Sequence, residues 1–168
     1  GIGGNKWMGD FLADPEGLEG QECRYQGLQL LPPRTVITPK KVARQRVLTS
    51  QYPTMGLPVT GYELHQGRTQ VIDDEQKPAE GKAGYDFLFD DHGLGLVDDS
   101  LSVWGAYIHG LFDNGPWRRA WLNRLRQQRG LGSLATGIPN YREQREMMLD
   151  VLADSVEAYV DLKPILQS

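Results

Sequence analysis

The chain has 168 residues, a net charge of −4 and a single cysteine, Cys23. This length is enough for one domain with a substantial core. The charge is mild, and basic residues concentrate only at 118–129, so nucleic acid is not the expected partner. No apolar run approaches the roughly 20 residues that span a bilayer. One cysteine excludes an internal disulfide, and with no signal peptide we expect a cytoplasmic protein.

The first third of the chain predicts short elements. Residues 2–4 suggest the end of a buried strand, and Met8–Leu12 suggests a helix after it. Two β-rich runs, Leu28–Leu31 and Thr35–Thr38, predict a strand pair. The mixed polar stretch at about 40–56 predicts an excursion over the surface.

The middle of the chain predicts most of the sheet. Val59–His65 alternates as a strand does, and the acidic stretch at about 70–84 predicts an exposed loop. Three more strands are expected at Tyr85–Phe89, Gly93–Val97 and Leu101–Ile108.

Two helices are expected in the last third. Asp113 or Asn114 caps the first, Pro116 suits its first turn and Gly130 ends it. Its buried stripe is predicted to be Trp117, Ala120, Trp121 and Leu125. The second helix covers about 141–160. Strands followed by amphipathic helices indicate an α/β domain.

His109 is the first candidate for chemistry. It ends a strand-like run, and Gly110 lets the backbone turn away and expose the imidazole. Imidazole is the usual general base near neutral pH. The spacing leaves open a histidine that only packs against Phe112.

Glu63 and His65 are the second candidate. Two residues apart on a strand, they point to the same face. A carboxylate beside an imidazole can hold its tautomer and orientation. Gly67 and Arg68 then make a turn that carries a cation. The residues alone favour the alternative, a surface pair on an edge strand.

Metal and nucleotide sites are not expected. The three histidines, His65, His92 and His109, lie far apart without paired spacing or cysteine ligands. No glycine-rich phosphate-binding motif is present, because the run at 81–83 lacks both the earlier glycine and the hydroxyl.

Two segments carry a family resemblance. Gly-Tyr-Glu-Leu-His-Gln-Gly-Arg-Thr at 61–69 closely resembles the Gly-Tyr-Glu-Ile-His-Met-Gly-Arg-Thr signature of the cobyric acid synthase family. Gly-Ala-Tyr-Ile-His-Gly-Leu-Phe-Asp-Asn at 105–114 is similar to the segment with that family's catalytic histidine. The resemblance implies a class I glutamine amidotransferase-like fold, a flavodoxin-like α/β three-layer sandwich. Residues 1–168 would be a partial domain, with the N-terminal strands absent and a longer polypeptide as its parent.

The resemblance also implies a function. Such a domain releases ammonia from glutamine, and a synthetase domain absent from this chain uses ATP and Mg²⁺ to amidate corrin carboxylates for cobalamin. Glutamine, and a corrin through the synthetase domain, would be the partners; the chain itself would need no cofactor. His109 would activate the nucleophile, and Gly3 and Gly4 would form its elbow and oxyanion site. Three residues would shape the site or contact the synthetase domain: Glu63, His65 and Arg68.

The chain departs from the family at the nucleophile. The family has a cysteine between the residues that match Ile2 and Gly3, and none is present here. Without that sulfur no acyl-enzyme forms, so we expect this chain alone to be inactive. One alternative is a catalytically dead docking module with the same fold. Another is a metal-dependent hydrolase that uses His65 and His109.

Overall fold

The described residues of the computed structural model are 6, 8–71, 84–98, 100 and 103–159. They divide into two compact units, Gly1–Leu111 and Phe112–Ser168, which are considered separately. The predicted strand end at 2–4 and most of the predicted loop at 70–84 lie outside the described residues. None of the helices within the described ranges is long and apolar enough to cross a membrane.

The first unit contains two sheets. Its described strands are β1 (Phe11–Asp14), β2 (Cys23–Gln26), β3 (Pro33–Thr49), β4 (Pro58–Val71), β5 (Tyr85–Phe87), β6 (Gly95–Asp98), β7 (Trp104–Ala106) and β8 (Ile108–His109). The larger sheet has the order β2–β1–β3–β4–β8, and the smaller has the order β5–β6–β7. β1 and β3 are parallel, while the other neighbouring pairs are antiparallel. The larger sheet is therefore mixed.

The β3–β4 hairpin is the longest pairing in the first unit. One of its faces is buried, with Ile37 near one end and the facing pair Leu48 and Val59 near the other. Between these apolar positions the register shifts at Val36/Lys41, which marks a bulge. The smaller sheet adds the buried side chain of Val97, and the chain just after β5 adds those of Leu88 and Phe89. Apolar burial thus holds the hairpin at both ends.

The second unit contains α1 (Gly115–Gln128) and α2 (Tyr141–Tyr159). Asn114 is the N-cap of α1, Pro116 lies in its first turn, and Gly130 follows it in the left-handed region with φ 69°. Asn140 precedes α2, and its backbone N–H donates to Glu143 Oε2 at 2.9 Å, as in a capping box. Both predicted helices are confirmed.

Burial in the second unit is uneven. Trp117 is 0% exposed, but the rest of its predicted stripe is only half-buried. No described residue of α2 is buried, and Met148 remains 72% exposed. The amphipathic pattern therefore identified α2 as a helix without identifying what its apolar face contacts.

The predicted helix at Met8–Leu12 is wrong. These residues form a turn that enters β1, and the backbone N–H of Asp10 donates to the carbonyl of Pro33 at 2.9 Å. Leu30 and Leu31 likewise donate to the carbonyl of Met8. Pairing with distant segments has overridden the local preference.

Two other predictions in this part need correction. The surface excursion at about 40–56 is wrong as far as Thr49, because β3 continues to that residue. The predicted strand at Leu28–Leu31 is irregular chain, and β2 forms just before it instead. The strand predicted at Val59–His65 is confirmed within β4, and shorter strands occupy parts of the three later strand runs.

Gly115 allows the start of α1 to approach the segment before α2. A Cβ at this position would lie 2.2 Å from the carbonyl oxygen of Pro139. We expect Gly115→Ala to lower the free energy of unfolding by roughly 1–3 kcal/mol, because the backbone must shift. Urea unfolding of the chain measures this. The control is Gly132→Ala, where nothing lies within 4 Å; equal loss in both variants would contradict the packing argument.

Candidate active site

His109 lies on the short strand β8, at one end of the larger sheet. Its Cα partner on β4 is Tyr62, and the partner of Ile108 is Glu63. His109 is half-buried, and Gly110 follows it with φ 78°. The predicted backbone turn after the histidine is confirmed, since this φ lies in the region that favours glycine.

β8 approaches β4 closely at Gly61. A Cβ at position 61 would lie 2.5 Å from the carbonyl oxygen of His109 and 2.5 Å from Ile108 Cγ2. Only a residue without a side chain permits this approach. Gly61 therefore helps to set the position of the strand that carries His109.

The two histidine candidates lie on opposite faces of the sheet. Paired residues share a face and successive residues alternate, so Tyr62 and His109 are on one face. Glu63, His65 and Ile108 are on the other. The structure brings Glu63 and His65 together, as predicted, but it does not bring either side chain to the imidazole of His109.

Glu63 is the centre of a charged cluster. Its side chain is 5% exposed, which contradicts the interpretation as a surface pair. Arg44 Nε donates to Oε2 at 2.8 Å, Arg46 lies 3.2 Å from the same oxygen, and His65 Nε2 is 3.0 Å from Oε1. Arg46 also pairs with Asp91. We call Arg44, Arg46, Glu63 and His65 the Glu63 cluster.

The cluster keeps Glu63 ionised. Burial alone would raise the pKa of its carboxyl group, but hydrogen bonds from Arg44 and His65 oppose burial. The charges of Arg44 and Arg46 act in the same direction as these hydrogen bonds. The result is a pKa below the ordinary value for glutamate.

A chain of contacts extends from the cluster toward β8. The His65 ring lies 4.6 Å from the Tyr107 ring, and His65 Nδ1 is 3.1 Å from the carbonyl of Gly67. The Tyr107 hydroxyl hydrogen-bonds with the Thr69 hydroxyl, which is 2.8 Å from that of Thr35. Burial raises the pKa of Tyr107, so it remains a neutral phenol.

The other predicted site residues lie elsewhere. Arg68 is exposed and pairs with Val36, which puts it on the face opposite the Glu63 cluster. Gly3 and Gly4, the predicted elbow, lie outside the described residues. Their roles stay predictions.

The positions of His65 and His109 argue against the alternative of a metal-dependent hydrolase that uses both histidines. His65 and His109 are on opposite faces of the sheet, so one ion cannot be bound by both. Within the described ranges, no group of three His, Cys, Asp or Glu side chains could hold a metal ion.

Arg44 and Arg46 were missed because their segment was interpreted as a surface excursion. Their signal is a period of two: Val42, Arg44, Arg46 and Leu48 alternate along one face of β3. Two cations on the same face of β3 as Val42 and the buried Leu48 would have predicted an acidic partner across the hairpin.

The larger mixed sheet thus carries a histidine at a strand end, followed by a glycine turn, and an imidazole can act as a general base near neutral pH. Residues 2–117 match the family described as CobB/CobQ-like glutamine amidotransferase domain, and the chain belongs to this family.

Curated relatives of this chain include proteins named cobyric acid synthase. The protein of Nostoc punctiforme is 62% identical over 164 residues, covering 98% of this chain and 32% of the relative. That of Trichodesmium erythraeum is 55% identical over 164 residues, with 98% and 32% covered. That of Microcystis aeruginosa is 52% identical over 164 residues, with 97% and 32% covered. The chain spans about a third of the length of these relatives.

The ionised state of Glu63 predicts a dependence of stability on pH. Because its pKa is lowered on folding, its contribution is fully present above the unfolded value of about 4.3. That contribution is lost as pH falls through the lower folded-state pKa. We expect Glu63→Gln to cost roughly 1–3 kcal/mol at neutral pH and to flatten the acid-side loss of stability. Urea unfolding between about pH 7 and pH 3 tests this.

Glu16 provides the matched control for this measurement, because it is exposed in the same unit. Glu16→Gln should leave the pH profile unchanged. If the profiles of the unchanged chain and Glu63→Gln run parallel at acid pH, the carboxylate is not the source of the dependence.

Gly61 provides a second prediction. Gly61→Ala should displace β8 and lower the free energy of unfolding by roughly 1–3 kcal/mol, because the new Cβ meets backbone at His109. Hydrogen exchange at the amides of residues 107–110 should accelerate. The control is Gly20→Ala, where no heavy atom lies within 4 Å; unchanged exchange in Gly61→Ala would contradict the close approach.

Proposed function

We propose that this chain is the glutaminase portion of a cobyric acid synthase. With its cysteine nucleophile in place, such a portion supplies ammonia from glutamine for the ATP-dependent amidation of corrin carboxylates in the cytoplasm. The carrying observation is a histidine–glycine strand end on β8, within a sequence 62% identical to a protein of that name. ATP and Mg²⁺ would belong to a synthetase region of the longer polypeptide.

The proposed chemistry is covalent catalysis by a cysteine nucleophile, and it requires a cysteine between Ile2 and Gly3, where this sequence has none. His109 takes the thiol proton, and the thiolate attacks the side-chain amide carbon of glutamine. The backbone N–H of Gly3 stabilises the oxyanion, and His109 returns the proton to the departing ammonia. Water then hydrolyses the thioester and releases glutamate. This scheme uses His109 from the face of the sheet opposite the Glu63 cluster.

We infer that the complete domain is a class I three-layer sandwich. The family membership supports this architecture. In a polypeptide as long as the relatives, additional strands and helices would complete the layers. The exposed apolar residues of α2 are consistent with a helix that packs in the complete domain.

The sequence as it stands supports a further point. It lacks a cysteine between Ile2 and Gly3, and its one cysteine, Cys23, belongs to β2. We propose that this chain alone has little or no glutaminase activity. The alternative function is a docking module that keeps the family fold, and the same missing sulfur favours it.

Restoring the nucleophile tests the function. We expect the unchanged chain to release ammonia from glutamine at background rate. Insertion of a cysteine between Ile2 and Gly3 should raise the rate by on the order of 10²-fold or more, since the thiolate supplies the covalent step. Adding His109→Gln should abolish the gain. Ammonia release is measured with a coupled assay.

His92→Gln is the matched control, because the His92 ring stacks on Phe87 at 3.8 Å and has no proposed role in the reaction. It should keep the restored activity. Fast hydrolysis by the unchanged chain would contradict the missing-nucleophile argument. A folded cysteine variant without activity would favour the docking module.

A further inference from the structure

We propose that Glu63 is a positioning residue for His109. The Glu63 cluster would fix the part of β4 on which β8 is built, and thereby the direction of the His109 imidazole. This inference rests on the proposed role of His109 as the general base. It assigns a function to a carboxylate on the face of the sheet opposite His109.

The position of β8 depends on β4. The strand is two residues long, and both of its Cα partners, Tyr62 and Glu63, are on β4. A further bond joins the Leu64 N–H to the Tyr107 carbonyl at 3.3 Å. Because β8 has only these few pairs with β4, a shift of β4 at Glu63 would also shift β8.

The two residues before His109 are held on the face of β4 that carries Glu63. Ile108 lies over Gly61, and the Tyr107 ring lies against the His65 ring. The Tyr107 hydroxyl is held by Thr69. With Tyr107 and Ile108 anchored there, His109 is directed to the opposite face.

Glu63 is the group that these contacts share. Its two oxygens join Arg44 and Arg46 on β3 to His65 on β4, and His65 in turn contacts Tyr107. An amide in place of the carboxylate has one oxygen acceptor and an NH₂ that only donates. Both guanidinium groups meet the same oxygen, Oε2, and a neutral amide oxygen there would accept weaker hydrogen bonds than a carboxylate does. Toward His65 Nε2 the amide would present a donor in place of the acceptor Oε1, so the hydrogen bond to the ring changes, and with it the contact between His65 and Tyr107.

A charged cluster suits positioning better than it suits stability. Replacing a buried ion pair by apolar residues of similar volume often leaves stability unchanged or raises it. Hydrogen bonds to charged groups, however, are directional and fix side chains in a defined geometry. Leu48 and Val59 already provide apolar burial on this hairpin, so the charges between such positions have a separate purpose.

The test observes the His109 imidazole directly by NMR. The chain has three histidines, so each ring can be assigned with one substitution. In Glu63→Gln we expect the ring ¹⁵N and ¹³C shifts of His109 to change and its signals to broaden. Glu63→Asp, which keeps the charge, should restore part of the native shifts. Circular dichroism confirms that each variant is folded.

Asp14→Asn is the matched control. Asp14 is also a buried carboxylate of the first unit, 2% exposed, but its oxygens accept from the backbone N–H groups of Leu18 and Glu19. We expect this variant to lose stability and to keep the His109 shifts. An equal change in Asp14→Asn and Glu63→Gln would overturn the proposal, because it would indicate general loosening.

Unchanged His109 shifts in folded Glu63→Gln would also overturn it. If Glu63→Gln does not fold, His65→Gln keeps both arginine pairs and interrupts the contact with Tyr107; unchanged His109 shifts there overturn the proposal equally. The NMR measurement needs no turnover. Its failure is therefore distinct from the absence of glutamine hydrolysis in the cysteine variant.

Discussion

The pairing of β3 with β4 is the constraint on which the first unit depends. It connects β1 and β2 on one side to β8 on the other, so both neighbours take their positions from it. Apolar burial holds the hairpin at its ends, through Ile37, Leu48 and Val59. The Glu63 cluster holds it between them. Displacing this pairing would move every other strand of the larger sheet.

The cations of the Glu63 cluster compensate for the burial of the Glu63 carboxylate. A single buried carboxylate would be costly, because it loses its hydration. Arg44, Arg46 and His65 replace that hydration with charge-assisted hydrogen bonds, and the lowered pKa of Glu63 reflects the balance. Arg46 also reaches Asp91, beyond β5, so the cluster ties together segments distant in sequence.

The separation of the two faces organises the candidate site. The contacts that hold the strands together lie on one face of the sheet: the Glu63 cluster, the Tyr107 ring beside His65, and the close approach of Ile108 to Gly61. The other face carries His109, at a strand end where Gly110 turns the chain away. In its proposed role as general base, His109 needs access to substrate and also a fixed direction. Dividing these requirements between opposite faces of one sheet meets both.

The C-terminal helix α2 shows that a sequence pattern can predict a helix without predicting what the helix packs against. The capping residues around 140–143 and the apolar period predicted α2 correctly, because these signals are local. What its apolar face contacts depends on other elements, and a period of 3.6 carries no information about them. Met148 is 72% exposed in this chain.

The sequence by itself determined the family and the helix that follows Asn114. It also determined that a strand ends at His109 and that the backbone turns at Gly110. These depend on short-range signals: capping, a glycine that can turn, and a nine-residue signature. Only the tertiary structure decided that Met8–Leu12 is not a helix, since its hydrogen bonds go to residues about twenty positions away. It also decided that Glu63 faces Arg44 and Arg46 and is turned away from His109. Strand register creates those relations, and register is a property of two segments paired in space.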